Sequence, residues 1–291
     1  MDTVPSRRFP TSTSRSAEAL KDTVEPAVTG TRSVFRALSI LHAFSARQPN
    51  LSGREVAEKF GYSLPTAYRL LRALEAEHFL VFDKSTRTYS PGPEILRLSG
   101  VMLQRDGVVA QTQSTLIRLR ALTGETVGVF WRLGNQRTCT HEMVSPHPDR
   151  IEAGVGEDYP LTRGAAGKAL LITLHDSAIR ELVADPEVPD PLRGVDALLT
   201  ELETSRRRGY TVSVAETVAG AVSIAAPIPW LQQGLAVCSI TAPQSRFGPK
   251  EVETAGATLV EEMQRLRSHL GRRPAEDGPG RPFRRMDGAS G

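Results

Sequence analysis

The 291-residue sequence predicts a protein that mixes helices and strands in two folded units, the second of α+β or α/β type. Three observations carry this expectation. The length lies where single hydrophobic cores stop growing, about 250–300 residues. Residues 31 to about 100 read as short helices with turn punctuation. From Thr126 onward, β-branched runs ("TVGVFWRL", "AVSIAAPI", "LAVCSITA") alternate with helical stretches such as "AGKALLITL". A hydrophobic content of 40% supplies cores for both units.

The ends differ from the rest. Residues 1–30 are rich in Ser, Thr and Pro without periodicity, and residues 272–291 ("RRPAEDGPGRPFRRMDGASG") repeat that character, so both are expected to be disordered arms. The net charge of +3 points mildly to a polyanionic partner. Cys139 and Cys238 are the only cysteines, which implies no disulfide framework and a reducing, cytoplasmic setting. No run approaches the roughly 20 apolar residues of a membrane span. The two early arginines are followed by no apolar core, so a secretory signal is not expected.

The first unit is legible residue by residue. In Leu51-Ser52-Gly53-Arg54-Glu55-Val56, Ser52 and Glu55 stand at the two positions of a capping box, with Leu51 and Val56 at those of a hydrophobic staple. Val56, Ala57 and Phe60 give the short helix an inner face, and Gly61 supplies a left-handed stop. Ser63 and Pro65 mark a second helix start. There Ala67, Leu70, Leu71 and Leu74 follow i, i+3, i+4, i+7 and define the buried side. The other side shows Pro65, Tyr68, Arg69 and Arg72, with Thr66 in the first turn.

Two short helices joined by a Gly-containing turn, the second with exposed arginines, form a helix-turn-helix. Downstream, "FLVFDKSTRTYS" alternates around the polar centre Asp83-Lys84-Ser85-Thr86 and reads as a β-hairpin, the wing of a winged helix. Residues 31–100 hold ten Lys/Arg against six acids. A lone arginine face is as readily a solvated helix surface, pairing here with Glu75 or Glu77. Capping box, turn, second helix and basic hairpin in series point instead to the major groove of DNA. The candidate DNA-contacting residues are Ser63, Thr66, Tyr68, Arg69, Arg72, Lys84 and Arg87. Beyond the hairpin, residues 100–122 read as one longer helix, with Val101, Val108, Leu116, Leu119 and Leu122 as its apolar stripe.

Three blocks in this order and spacing resemble the IclR family of bacterial transcriptional regulators: "SVFRALSILHAFSARQPNLSGREVAEKFGYSLPTAYRLLRALEAEHFLVFDKSTRTYSPGPEIL"; "GETVGVFWRLGNQRTCTHEM" running on to "YPLTRGAAGKALL"; and "RRRGYTVSVAETVAGAVSIAAPI" ending in "LAVCSITAPQSRF". The resemblance implies an α+β protein. Its expected parts are a winged helix-turn-helix at 31–93, a linker helix at 94–107 and a GAF-like effector domain at 108–271, an antiparallel sheet flanked by helices. It also implies a double-stranded DNA operator, a small-molecule effector, no cofactor, and self-association as a dimer or tetramer. Carried over by position, the effector-contacting residues are Gly164, Ala165, Ser213, Ser223, Ser239 and Thr241. Family members often place Asp where this chain has Ser213 and Cys where it has Ser223, so the ligand preference does not transfer.

The chemistry of these residues fits a pocket. "RGAAGKALL" is a small-residue run entering an apolar helix, whose bare N–H groups at a positive terminus suit a carboxylate. Ser239 and Thr241 share one strand face and supply neutral hydrogen bonds. The expected ligand is a small organic acid or neutral oxygen-rich metabolite held without an arginine clamp. Phe130 and Trp131 point to opposite sheet faces, so only one can face it. Small residues also serve plain helix–sheet packing, the alternative meaning of the run.

Enzymatic readings find less support. "GAAGK" lacks the Walker glycine (Thr162 stands there) and the hydroxyl after the lysine (Ala169 stands there). The six histidines show no metal-ligand spacing, and His141, Glu142 and Cys139 on one strand are split by its alternation. Gly-x-Ser-x-Gly is absent. Glu216 has no nucleophile beside it and reads as structural or pocket-rim. The rival to a ligand-responsive transcription factor is a small-molecule enzyme with an accessory DNA-binding domain.

Overall fold

The computed structural model describes residues 7–8, 31–104, 108–186, 188–228 and 235–270. Apart from β1 (Arg7–Arg8), which pairs in parallel with β7 (Ile151–Glu152), the arms expected at 1–30 and 272–291 lie outside the described residues.

The first unit packs α1 (Arg32–Leu41), α2 (Gly53–Phe60) and α3 (Leu64–Ala76) around one core. A three-stranded sheet closes it, ordered β2 (Leu51–Ser52), β4 (Thr88–Pro91), β3 (Leu80–Asp83). The capping box forms as its residue types dictate: Ser52 Oγ accepts the Glu55 N–H at 3.2 Å, and Glu55 Oε2 accepts the Ser52 N–H at 2.7 Å. Gly61 ends α2 with φ +64°, a conformation that costs glycine nothing. Ala67, Leu70, Leu71 and Leu74 all turn inward from α3 against Ile40, Val56, Phe60 and Leu80.

Helix α4 (Pro93–Gln104) and helix α5 (Val108–Thr123) lead into the second unit. The single helix expected over 100–122 is therefore two described segments, with 105–107 outside the described residues. Its expected stripe needs correction. Leu116 and Leu119 are buried, but Val101 is 63% exposed and Leu122 66%, while the Val108 side chain lies outside the described residues. The buried face of α5 is Thr115, Leu116 and Leu119, because α9 (Pro249–Leu270) packs there; Arg118 Nη2 pairs with Glu262 of α9 at 2.8 Å.

The second unit is a six-stranded antiparallel sheet in the order β8 (Asp158–Pro160), β6 (Gln136–Met143), β5 (Thr126–Leu133), β11 (Ala236–Pro243), β10 (Ala221–Pro227), β9 (Thr211–Val214). Alternation sends Val127, Val129, Val222, Ile224, Cys238 and Ile240 to the face covered by α5 and α9. Phe130, Cys139, Ala225 and Val237 face α6 (Gly164–Leu171), α7 (Asp176–Ala184) and α8 (Val195–Arg208). This is the α+β fold, with helices on both faces of an antiparallel sheet.

The units also touch through the loop behind α1. Ala46 N–H donates to the Val155 carbonyl at 2.8 Å, Arg47 Nη2 to the Ala153 carbonyl at 3.2 Å, and Arg47 Nε stands 3.7 Å from Glu157 Oε1.

Candidate DNA interface and effector site

The side of α3 that packing leaves over carries Pro65, Tyr68, Arg69 and Arg72, all exposed, with Thr66 half-buried beside them. Ser63 occupies the N-cap position but makes no capping bond; its hydroxyl lies 2.9 Å from Thr66 Oγ1. Tyr68 also packs on α2. A Cβ at Gly53 would stand 2.6 Å from its ring, so only glycine lets the ring lie on the first turn of α2, leaving Tyr68 43% exposed. Among the described residues neither Arg69 nor Arg72 enters an ion pair, so the pairing with Glu75 or Glu77 is not made. Lys84 and Arg87 are exposed in the β3–β4 turn, where Asp83 accepts the Ser85 N–H at 2.7 Å and its hydroxyl at 2.6 Å. The DNA candidates thus fall on one helix face and one hairpin tip.

The effector candidates converge on the α6 side of the large sheet. Register places Ser213 opposite Ser223, Ser223 opposite Thr241, and Thr241 opposite Thr126. Ser239 sits in the next row, between Ala225 and Gly128, and α6 begins above these rows, with Thr211 Oγ1 donating to the Ala165 carbonyl at 2.7 Å. All four hydroxyl residues are buried, and Ser223 and Thr241 bond each other at 3.0 Å. Phe130 belongs to this face, whereas Trp131 helps to line a separate cavity of about 450 Å³ beside α5.

Two features of the start of α6 were not expected. First, it is not free of cations. Arg137, on β6, is 2% exposed and presses on the helix: a Cβ at Gly164 would stand 2.8 Å from its Nη2, and one at Gly167 2.7 Å from its Nη1. The two glycines, three apart on one helix face, make room for a guanidinium, which is more than plain packing. The expectation of a site without an arginine is corrected here. Gly164 also adopts φ +77°, so any side chain there would strain the backbone as well as collide with Arg137 and Thr217.

Second, the N-terminal amide is taken. Glu216, in the β9–β10 turn, accepts the Gly164 N–H on Oε2 at 2.9 Å and the Lys168 ammonium on Oε1 at 2.5 Å. Lys168 is 1% exposed and also pairs with Glu201 at 2.6 Å. Glu216, Lys168 and Glu201 line a cavity of about 690 Å³ between α8 and β9. None of the six effector candidates lines this cavity; Glu216 lines it and bonds one of them, Gly164. Arg137 carried one readable signal: on a strand alternating around buried Cys139, position 137 has inward parity. Glu216 and Lys168 carried none, since their meeting depends on how the sheet edge packs on α6.

Neighbouring Glu142 spends its carboxylate on the Ala153 and Gly154 N–H groups, at 2.6 and 3.0 Å. Burial raises its carboxyl above its ordinary value, against the lowering by these two hydrogen bonds.

A winged helix-turn-helix joined to an antiparallel sensory sheet is the build of a DNA-binding regulator. Residues 33–84 match the IclR helix-turn-helix domain and residues 101–268 the family described as bacterial transcriptional regulator IclR C-terminal. The chain belongs to the IclR family of transcriptional regulators and is not an enzyme. It is 31% identical over 236 residues to the HTH-type transcriptional regulator Rv1719 of Mycobacterium tuberculosis, covering 79% of this chain and 90% of that one. The structure of an IclR transcriptional regulator from Alicyclobacillus acidocaldarius superposes with a TM-score of 0.69 at 26% identity, over 82% of this chain and 98% of the other. An IclR homologue from Microbacterium hydrocarbonoxydans, solved in complex with 4-hydroxybenzoate, shares the fold with the same score at 18% identity, over 82% and 99% of the two chains.

Proposed function

We propose that this regulator acts in the cytoplasm as a homodimer or homotetramer, and that it lays α3 in the major groove of a roughly palindromic operator. In this reading residues 31–93 bind DNA, 94–107 link, and 108–271 sense. Ser63, Thr66, Tyr68, Arg69 and Arg72 meet bases and phosphates; Lys84 and Arg87 hold the backbone from the wing. The observation that carries it is the exposed face of Arg69 and Arg72, free of ion pairs among the described residues, on a helix whose other side is spent on the core.

Self-association is supported by Val34, Phe35 and Leu38, exposed together on α1, and by Leu96 and Val101 on α4. Among the described residues no helix is long and apolar enough to cross a membrane.

The effector is a small organic acid or related oxygen-rich metabolite, bound at Gly164, Ala165, Ser213, Ser223, Ser239 and Thr241. The 4-hydroxybenzoate held by the Microbacterium homologue is a carboxylate of that class. Ligand shifts DNA affinity by its differential affinity for two conformations, typically about 1–3 kcal/mol. Sedimentation and footprinting on a selected duplex test the assembly: two protected half-sites and a dimer or larger species are expected. A micromolar monomer protecting one half-site would contradict it.

A further inference from the structure

Arg137 is a buried cation without an ion pair among the described residues. Its Nη1 donates to the carbonyls of Pro160 and, at 2.8 Å, Arg163. The guanidinium lies over the rings of Phe130 and Tyr159, 5.6 and 5.3 Å from their centroids, and its Nε meets no acceptor. Burial pulls its pKa down to about 10, which leaves it charged at neutral pH. A guanidinium taken out of water without a carboxylate is costly, so an anion beside it is stabilising.

The place for that anion is the start of α6. The unpaired guanidinium and the positive helix terminus meet at Gly164, and they do so from different elements of the fold. The helix terminus is filled by the chain's own carboxylate, which stops short of an ion pair with Arg137. Glu216 reaches the Gly164 amide at 2.9 Å while holding Lys168 with its other oxygen, and it does so from the wall of the 690 Å³ cavity. The residue before it, Ala215, adopts φ +56°, so the turn that delivers Glu216 is held in a conformation unusual for alanine.

We propose that Glu216 is a built-in stand-in for the carboxylate of the effector, and that Arg137 is the specificity-determining residue that selects an anionic ligand in its place. This rests on the effector reading above and sharpens it: the ligand is a carboxylate, and a neutral metabolite is rejected. It arrives from the cavity, Glu216 gives up the Gly164 amide while keeping Lys168, and the incoming carboxylate takes the amide and the guanidinium. Because Glu216 competes, apparent affinity is lowered by the fraction of molecules in which the amide is closed.

The test is rescue by a carboxylate small enough to replace the missing side chain. The full-length wild type, Glu216→Ala, and Glu216→Ala with Arg137→Met are melted in increasing acetate, with acetamide as the neutral control and chloride holding ionic strength constant. Ligand that binds only the folded state raises Tm with concentration. Acetate should raise the Tm of Glu216→Ala at concentrations at least tenfold lower than it needs in the wild type. Acetamide should do nothing, and the second substitution should abolish the response. An equal response in wild type and Glu216→Ala, one that survives Arg137→Met, or none in any protein overturns the inference. If Glu216→Ala does not fold, titration of wild type and Arg137→Met with benzoate and benzamide decides. The wild type should prefer benzoate at least tenfold and the variant should not; the same preference in both overturns it. A ligand that shifts DNA affinity yet binds both proteins equally would leave the effector reading standing and remove only this inference.

Discussion

Arg47, in the DNA-binding unit, and Tyr159, in the effector domain, donate to the same carbonyl oxygen, that of Ala153, at 3.2 and 2.6 Å. Tyr159 also lies under the Arg137 guanidinium, so the start of α6 and the loop behind α1 are separated by one ring and one peptide group. Coupling between sites needs an element that both can bias, and this shared carbonyl is a physical candidate alongside the helices α4 and α5. Tyr159→Phe is expected to leave the fold intact at a cost of about 1 kcal/mol for one buried hydrogen bond. Arg47→Ala is expected to shrink the factor by which a ligand changes DNA affinity. The check is DNA affinity of wild type and both variants with and without a ligand that shifts the wild type; an unchanged factor in both removes this route.

The capping box makes a pH-dependent contribution. Hydrogen bonds from the Ser52 backbone and side chain hold the Glu55 carboxyl below its ordinary value of 4.5. A depressed folded-state pKa means stability that is present above the unfolded value and lost as pH falls through the folded one. Ser52→Ala should therefore destabilise the DNA-binding unit by about 1 kcal/mol at neutral pH, and by less in acid. Denaturation at neutral pH and near pH 3 reads this directly; a pH-independent difference would show that the carboxylate is not involved.

Both thiols should be silent. Burial pushes Cys238 up to about 12 and Cys139 well above its ordinary value. At pH 8 the Cys238 thiolate is on the order of one molecule in ten thousand, and thiolate is the reactive form. Native protein should resist a thiol reagent that labels two cysteines per chain in denaturant. Rapid labelling of the native chain would mean that these sheet faces open in solution.

Salt separates positioning contacts from base contacts. Lys84→Ala and Arg87→Ala should weaken binding uniformly across duplex sequences and lower the slope of log affinity against log salt by about 1 each. Affinity titrations at several salt concentrations decide, and an unchanged slope would take the wing off the DNA.

The first unit was legible because its determinants are local. Ser52 with Glu55, Gly61, and the spacing of Ala67, Leu70, Leu71 and Leu74 fix two helices and their inner faces within 25 residues, and the structure adds little to them. The effector region was legible only in part. Alternation put Ser239 and Thr241 on one face, but no local pattern says that Arg137, from a strand, and Glu216, from a turn far along the chain, meet at Gly164. The stripe on the connecting helix failed for a related reason. Val101 and Leu122 keep helical time yet stay exposed, because among the described residues α9 packs on the Leu116–Leu119 side.

Whether α3 reads DNA turns most directly on Arg69. Selection of binding duplexes from a randomised pool, by the wild type and by Arg69→Ala shown to be folded by circular dichroism, isolates that role. Leu71→Ala, expected to lose about 2–5 kcal/mol of core stability, marks what unfolding alone looks like. The wild type should enrich one roughly palindromic site, and Arg69→Ala should bind it about 1–3 kcal/mol more weakly with relaxed preference at one position of each half-site. If folded Arg69→Ala enriches the same site with the same affinity, α3 does not read DNA through this face.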